Sequence, residues 1–345
     1  MKILDAQRLW CAAPGWLNTA TYGLPPTPAW DALQSVLADW RSGQTSWEAW
    51  GESTDRSRES FARLVGVRTD QVAVGAAVSE LIGLVAAGVP DRARVVTAEG
   101  DFTSLLFPWL VHADRGVDVR SVPVAGLAAA VDPSTTVVAF SLVQSATGQI
   151  ADLDAILQAA RTHDALVIVD ATQACGWLPV TANGIDALAC GGYKWLMSPR
   201  GSAFLALSDR LRDRLRPLNA GWYAGENVHT SYYGLPLRLA RSARRFDTSP
   251  AWFSWIGTAP ALELVEQIGV EAIHAHNLAL ANRFRAGLGL AEGDSAIVSA
   301  AIPDADRKLA AAGIRAATRA GDLRVSFHIY STENDVDMAL NALTG

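Results

Sequence analysis

The sequence has 345 residues, of which 50% are hydrophobic and 19% are charged, and its formal net charge is -6 at pH 7. A chain of this length is too long to fold around one compact core, so we expect a large domain and a smaller one. The net negative charge argues against a nucleic-acid partner, because proteins that bind nucleic acid usually carry a basic patch. No apolar run is long enough to predict a membrane partner.

The chain opens with helical segments and continues with alternating strands and helices. Apolar residues recur at helical spacing in residues 27–66, for example in PAWDALQSVLADW and ESFARLVGV. From about residue 68 to residue 210, short apolar β-rich runs alternate with helical patterns. Continuously apolar strands joined by helices indicate a buried, mainly parallel sheet with helices on both faces. We therefore predict an α/β fold with its core in residues 68–210.

The rest of the chain is less regular. Residues 211–250 are rich in Gly, Tyr and Arg, and one long helix is predicted for residues 252–288. The C-terminal part is typical of a strand (GIRAAT), a second strand (DLRVSFHIY) and a helix (NDVDMALNAL). We expect both chain ends to join a small α+β domain. The predicted large and small domains comprise residues 14–250 and residues 1–13 with 251–345, respectively.

The three cysteines, Cys11, Cys175 and Cys190, are widely spaced. They form neither a disulfide framework nor a metal signature, so we expect no metal site and a reducing, cytoplasmic environment. The first residues contain no apolar run typical of a signal peptide, which agrees with that location. We interpret Cys175 and Cys190 as small core residues.

An acidic residue ends the apolar strand in VIVDATQ, residues 167–173. Ligands of open α/β sheets bind outside the carboxyl ends of the strands, so Asp170 is placed to hold a cationic ring nitrogen. Gln173 follows three positions later. A turn or capping aspartate after a strand is the alternative that these residues leave open.

A lysine follows two glycines in GGYKWLMSPRG, residues 191–201. Glycine allows the backbone to approach a ligand closely. Lys194 lies among Tyr193, Trp195 and Leu196, and apolar surroundings lower the pKa of an amine, which imine formation requires. A surface lysine in a loop is the alternative.

The DATQ and GGYKWLMSPRG segments together resemble the class V aminotransferases. This family includes cysteine desulfurases, kynureninases, isopenicillin N epimerases and ergothioneine-pathway sulfoxide lyases. Its pattern is a strand ending in D-x-x-Q, another strand and then a Schiff-base lysine, and the resemblance covers nearly the whole chain. It implies the pyridoxal 5′-phosphate (PLP)-dependent transferase fold type I, with a seven-stranded sheet. It also implies two catalytic residues: Lys194 carries PLP, and Asp170 keeps the ring nitrogen protonated.

The resemblance extends to the cofactor's phosphate and ring. In VGAAVSE, residues 74–80, a strand runs through a small-residue turn into a helix, and helix N-terminal amides bind anions. The resemblance implies that Ala77 and Val78 offer backbone amides and Ser79 its hydroxyl to the phosphate, although helix capping by Ser79 is an alternative. Phe102, in AEGDFTS, matches the ring that stacks on the cofactor, with core packing as the alternative.

Further cofactor contacts are implied in three other segments. Ser145, with Gln144 nearby, matches the loop that faces the ring hydroxyl or the substrate, with turn formation as the competing interpretation. Gln173 and Tyr193 are implied to contact the cofactor beside Asp170 and Lys194.

The segment ARRFDTSPAW resembles one that crosses the dimer interface to the partner's phosphate, although it is one residue shorter than the common form. Ser249 or Thr248 would supply the hydroxyl, which implies a homodimer with a shared active site.

Residues 322–337, DLRVSFHIYSTENDVD, closely match the family's C-terminal motif. The resemblance implies that Arg324 binds the substrate carboxylate, since a guanidinium pairs bidentately with a carboxylate. An internal salt bridge is the alternative. Asn18 and Tyr22, in LNTATYG, match the N-terminal segment that approaches the same carboxylate.

These residues imply an enzyme that acts on a small-molecule α-amino acid through an external aldimine formed at Lys194. Residues 291–331 lack the persulfide cysteine of a cysteine desulfurase. Phe102 with Gln173 favours the lyase or epimerase branch of the family, and a lyase that breaks a C–S bond by β-elimination is the leading expectation. An aminotransferase, an epimerase and a catalytically silent PLP-fold scaffold remain alternatives.

Overall fold

The computed structural model describes residues 1–344 and is built around a seven-stranded sheet. Its strands are β1 (Val72–Gly75), β2 (Arg94–Ala98), β3 (Asp118–Val122), β4 (Val137–Ser141), β5 (Leu166–Asp170), β6 (Ala187–Gly191) and β7 (Ala203–Leu207). They lie in the order β1-β7-β6-β5-β4-β2-β3. The four pairs from β3 to β6 are parallel, whereas β7 runs antiparallel to both β1 and β6. The predicted α/β fold with a mainly parallel seven-stranded sheet is confirmed.

The central strands are apolar on both faces. Every residue of β4, β5, β6 and β7 is buried. Phe140 and Val169 belong to the core on one face, while Ala139 and Ile168 belong to the core on the other. This alternation follows from the two-residue period of a strand. Both faces are therefore covered, as the continuous apolar runs in these strands predicted.

Helices cover the two faces of this sheet. Apolar residues of α3 and α7 lie in the core that contains Phe140, whereas those of α4 and α5 lie in the core that contains Ile168. Within residues 1–344 the helices are α1 (Ile3–Ala6), α2 (Thr27–Ser42), α3 (Trp47–Leu64), α4 (Val78–Ala87), α5 (Thr103–Leu110), α6 (Leu127–Ala130), α7 (Leu153–His163), α8 (Asp209–Arg212), α9 (Trp252–Ile268), α10 (Val270–Gly287), α11 (Ala305–Ala311) and α12 (Glu333–Thr344).

A second, antiparallel sheet is formed by β8 (Ile297–Ala300), β10 (Asp322–Ser326) and β9 (Ala317–Arg319), in that order. Apolar residues of α10, α11 and α12 pack with it in a separate core. The N-terminal segment joins this sheet, because Asn18 forms a parallel bridge with Ser326. The predicted domain boundaries stay a prediction.

Three features of the C-terminal part differ from the sequence prediction. The single helix predicted for residues 252–288 is wrong: α9 and α10 are separated at Gly269, whose φ of 92° and ψ of 131° are incompatible with a continuous helix. Strand β8 and helix α11 were not predicted, since both are short. No helix in residues 1–344 is both long and apolar enough to cross a membrane.

Candidate active site

A cavity lies at the edge of the large sheet where the parallel strands end. The turn after β1 and the loops after β2, β4, β5 and β6 all contribute to its wall. This is the edge at which open α/β sheets bind ligands. The cavity brings together nine of the residues predicted from the sequence: Ala77, Val78, Ser79, Phe102, Ser145, Asp170, Gln173, Tyr193 and Lys194.

Lys194 follows β6 in a tight turn, where the Met197 amide donates to the Lys194 carbonyl at 3.0 Å. A side chain at Gly23 would overlap that same carbonyl oxygen, so glycine allows the N-terminal segment to pack against the lysine turn. Lys194 is only 6% exposed, and burial lowers its pKa to about 8, although the Asp170 charge opposes this shift. The surface-lysine alternative is therefore excluded.

Asp170 is the last residue of β5 and is buried. Its carboxylate accepts a hydrogen bond from the Thr172 amide at 2.8 Å. Burial raises the pKa of Asp170, while the Thr172 bond and the positive charge of Lys194 act in the opposite direction. The capping alternative accounts for one carboxylate oxygen and leaves acceptor capacity for a ligand.

The turn between β1 and α4 presents free backbone amides. Ala77 has extended backbone geometry at the N-cap of α4 and makes no side-chain cap bond. Within residues 1–344, the amides of Ala77, Val78 and Ser79 have no hydrogen-bond partner. The capping alternative for Ser79 is thereby excluded, because its hydroxyl caps nothing. Unpaired amides at the positive end of a helix dipole are suited to an anion such as a phosphate.

Arg200 also lines the cavity and was missed by the sequence prediction. Its guanidinium lies 4.7 Å from the ring centroid of Tyr193. The proline–arginine pair at the end of GGYKWLMSPRG was the available signal, because it follows the lysine turn by only a few residues. Arg200 adds a positive charge to a wall whose amides already favour an anion.

Phe102 is 44% exposed, which excludes core packing, and its ring centroid lies 5.2 Å from the Lys194 amine nitrogen. The residue before it, Asp101, was missed by the sequence prediction. Its buried carboxylate accepts from the Phe102 amide at 2.7 Å and from the Ser141 amide at 2.9 Å. Asp101 therefore ties the loop carrying Phe102 to the end of β4.

Gln173 connects three parts of the site. Its amide nitrogen donates to the Ala20 carbonyl at 2.9 Å and to the Ser145 hydroxyl at 3.1 Å. Its amide oxygen accepts from the Trp195 indole at 2.7 Å. His328 extends this network, because its Nε2 bonds the Trp195 carbonyl at 2.9 Å. The carbonyl can only accept, so Nε2 carries the proton, and burial lowers the pKa of His328 to about 3, which keeps the ring neutral.

Arg324 lies on β10 and is 1% exposed. It donates to the Ser145 carbonyl at 2.7 Å and to the Thr21 hydroxyl at 2.5 Å, while its Nε has no partner. No carboxylate in residues 1–344 forms an ion pair with Arg324, so the alternative of an internal salt bridge is excluded within these residues. Burial lowers the pKa of Arg324 to about 10, with a contribution from the Arg319 charge. A buried cation without a counter-ion is suited to an anionic ligand.

Arg324 reaches the cavity only through its contact with Ser145, and the remaining predicted residues also lie outside the cavity wall. Asn18 is next to β10, and its buried side-chain oxygen has no partner within the described residues. Tyr22 is 38% exposed, and its ring centroid lies 5.7 Å from that of Tyr193. Ser249 is exposed and is absent from the cavity wall of this chain. Its expected role concerns a partner subunit and stays a prediction.

The donor set fits a flat, anionic aldehyde. A buried amine, a buried carboxylate, an aromatic face and an open helix N-terminus are present in one cavity. On the fold type I scaffold, this combination defines a PLP-dependent enzyme.

Comparison with known proteins specifies the family. The chain belongs to the class-V aminotransferases, because the family described as Aminotransferase class-V matches residues 33–310. An uncharacterized aminotransferase from Bacillus subtilis, YcbU, is 29% identical over 321 residues, which cover 87% of this chain and 85% of that protein. An isopenicillin N epimerase from Streptomyces clavuligerus is 25% identical over 340 residues and 84% of each chain.

Solved structures share the fold at lower identity. The cystine C-S lyase C-DES, in complex with cysteine persulfide, has a TM-score of 0.86 at 22% identity and covers 96% of this chain and 97% of its own. A C-DES mutant with glycine covalently linked to PLP has a TM-score of 0.86 at 21% identity, covering 96% of each chain. The cysteine desulfurase CsdA from Escherichia coli has a TM-score of 0.84 at 20% identity, covering 100% and 98%.

Proposed function

We propose that this chain is a PLP-dependent C–S lyase that cleaves the Cβ–S bond of a cysteine-type amino acid by β-elimination. The observation that carries the proposal is a cavity lined by the buried Lys194 and Asp170, with Arg324, which has no counter-ion within residues 1–344, bonded to Ser145 of its wall. A non-catalytic scaffold has no need for these three side chains.

The residues present fit PLP as the cofactor. Ala77, Val78 and Ser79 would hold the phosphate, Asp170 the ring nitrogen and Phe102 one ring face. Ser145, Gln173 and Tyr193 line the remaining wall. PLP, when bound, supplies an electron-poor ring that stabilises negative charge at the substrate Cα.

Lys194 moves the proton in the proposed reaction. Burial lowers the pKa of its amine to about 8, so a useful fraction is neutral near neutral pH. The neutral amine takes the Cα proton, the electron pair forms a bond to Cβ, and the Cβ–S bond breaks with its electrons on sulfur. The sulfur leaves as a thiol after taking a proton, and water converts the three-carbon remainder into pyruvate and ammonium.

Arg324 orients the substrate. Its guanidinium is held by Ser145 and Thr21, so that it is already in place when a carboxylate arrives. A fixed fork positions the Cα–H bond with little loss of entropy on binding.

Direct elimination is favoured over sulfur transfer to a protein thiol. Cys175 and Cys190 are buried and Cys11 is exposed, and none of the three lines the cavity. Burial raises the pKa of Cys190, which keeps it a thiol rather than a nucleophilic thiolate.

Product analysis tests the reaction type. We expect cysteine S-conjugates to give pyruvate, ammonia and thiol in equal amounts without an added keto acid. A strict requirement for a keto acid would identify an aminotransferase, and Cα inversion without pyruvate would identify an epimerase. A protein that stays colourless after incubation with PLP would support the scaffold alternative.

We also propose a homodimer with a shared active site, in which Ser249 reaches the partner's phosphate site. Residues 228–238, here called the outer loop, support this proposal. Tyr233, Leu235 and Leu237 are 90%, 93% and 80% exposed. Contiguous apolar exposure is typical of an interaction surface. Light scattering after size exclusion tests the oligomeric state.

A cytoplasmic location is proposed because all three cysteines are free thiols.

A further inference from the structure

We propose that Arg319 selects substrates whose side chain ends in an anionic group. This inference rests on the proposed function, because it assigns Arg324 to the α-carboxylate and Arg319 to a second negative charge. Arg319 thus becomes a specificity-determining residue for acidic S-substituents of cysteine.

The two arginines share one hydroxyl group. The Thr21 oxygen accepts from Arg324 Nη2 at 2.5 Å and from Arg319 Nη2 at 3.3 Å. The hydroxyl is neutral, so it brings the two guanidinium groups together without balancing their charge. An anion that approaches Arg324 is therefore within reach of Arg319.

The backbone fixes this arrangement. β9 and β10 form a hairpin in which Arg319 is opposite Asp322, and Arg324 is opposite Ala317. The two connecting residues, Ala320 and Gly321, have φ of 50° and 93°, as in the tight turns that suit twisted hairpins. Directly paired residues, and residues two apart on one strand, project to the same face. Arg319 and Arg324 therefore project to one face of the small sheet.

The charge of Arg319 is not balanced by an acid. Besides Thr21, its guanidinium donates to the Thr318 carbonyl at 2.8 Å. Asp322 lies on the same face but forms no ion pair with it within the described residues. Arg319 is exposed, so a ligand entering from solvent can reach it. Two adjacent cations are stabilised by a ligand with two negative charges.

An isosteric pair of substrates tests the inference. S-carboxymethyl-L-cysteine and S-carbamoylmethyl-L-cysteine differ only in the charge of the terminal group. We expect the wild-type kcat/KM to favour the acid by about tenfold, since a charge-assisted pair at a partly exposed site has this magnitude. Arg319→Gln should remove most of that preference and change kcat/KM for the amide by less than about twofold, and Arg319→Lys should retain part of it.

Arg315→Gln is the matched control. Arg315 is exposed, lies on the same segment, and its side chain makes no ion pair in residues 1–344. The control removes the same charge and should leave the preference unchanged. Equal losses for acid and amide in Arg319→Gln would overturn the inference, because they would assign Arg319 to the α-carboxylate.

Calorimetric titration with glutamate and glutamine separates this inference from the proposed reaction. Tighter binding of glutamate in the wild type, lost in Arg319→Gln, supports the second-anion role even if neither cysteine derivative is cleaved. Cleavage of both derivatives at equal kcat/KM, with equal binding of glutamate and glutamine, supports the lyase and overturns the role of Arg319.

Discussion

The wall of the cavity is mostly polar and the outer loop is mostly apolar, and the two regions also differ in how their side chains are held. Around the cavity, Gln173 makes three hydrogen bonds, and Lys194 is only 6% exposed. In the outer loop, Leu235 is 93% exposed, and the ring of Tyr232 lies 5.3 Å from that of Trp222, centroid to centroid.

This difference separates chemistry from assembly. The contacts that position the amine and the carboxylate are complete within one chain, so a single chain specifies the reacting groups. The outer loop leaves apolar surface in contact with water. Burying that surface would stabilise the protein by roughly 25 cal/mol for each Å². A second surface is therefore needed to account for its composition. The following experiments test each side of this comparison, beginning with the largest expected effect.

Lys194→Ala tests whether the chemistry resides on this one amine. We expect activity to fall by at least about 10³-fold, because both the cofactor attachment and the base are lost. Borohydride reduction of the PLP-loaded protein followed by peptide mapping should label Lys194. The sequence contains only two other lysines, Lys2 and Lys308.

Lys308→Ala is the matched control for this experiment. Lys308 lies on α11, outside the cavity wall, and its amine donates to the Leu343 carbonyl at 2.9 Å. We expect it to keep wild-type activity and labelling. A label on Lys2 or Lys308 in the wild-type protein would contradict the assignment of Lys194.

Arg324→Ala tests whether the buried cation serves the substrate rather than the cofactor. Loss of a charge-assisted carboxylate contact at a buried site should lower kcat/KM by roughly 10²- to 10³-fold. The Kd for PLP should change by less than about threefold, since the phosphate and ring residues are intact. Kinetics and a PLP titration on the same preparation check this. Equal losses in both quantities would mean that Arg324 positions the cofactor.

Much of this site was predictable from local sequence. Asp170 ends an apolar strand and Lys194 follows two glycines, and the resemblance to class V aminotransferases decided between these roles and the capping or surface alternatives. Asp101, Thr21 and Arg319 were not predictable in this way. Their importance arises from contacts between segments distant in the chain, and no local pattern encodes such contacts.

The fold shows the same limit. The apolar strands β4 to β7 were predicted because their burial on both faces is visible in their composition. The break between α9 and α10 was missed because the apolar pattern continues across Gly269. A glycine inside a helical pattern is compatible with a helix, and only its positive φ marks the break.

The pH dependence of cofactor capture tests the burial of Lys194. Burial lowers the pKa of its amine to about 8, so the amine becomes neutral as the pH rises through that value. We expect the initial rate of PLP capture by the apoprotein to rise about tenfold between about pH 7 and pH 9, following the neutral fraction. Stopped-flow absorbance measures this rate, and PLP with a free lysine derivative provides the buffer control.

Asp170→Asn sharpens the same measurement. The carboxylate raises the pKa of Lys194, so removing its charge should move the midpoint to lower pH. A midpoint near the ordinary lysine value, in either protein, would show that Lys194 is exposed to water in solution.

The smallest change in the free energy of unfolding is expected for a substitution in the outer loop. A buried leucine provides the comparison, because its loss should cost far more. Leu205 lies on β7 at 0% exposure, and Leu205→Ala should lower the free energy of unfolding by about 2 to 5 kcal/mol. Leu235→Ser should lower it by less than about 0.5 kcal/mol in dilute protein, because its side chain is already in water. Urea unfolding at two protein concentrations measures both.

If a second copy covers Leu235, the serine variant loses stability only at the higher concentration, where wild-type copies associate. A loss above about 1 kcal/mol at both concentrations would mean that the outer loop packs within its own chain, and the separation of chemistry from assembly would fail.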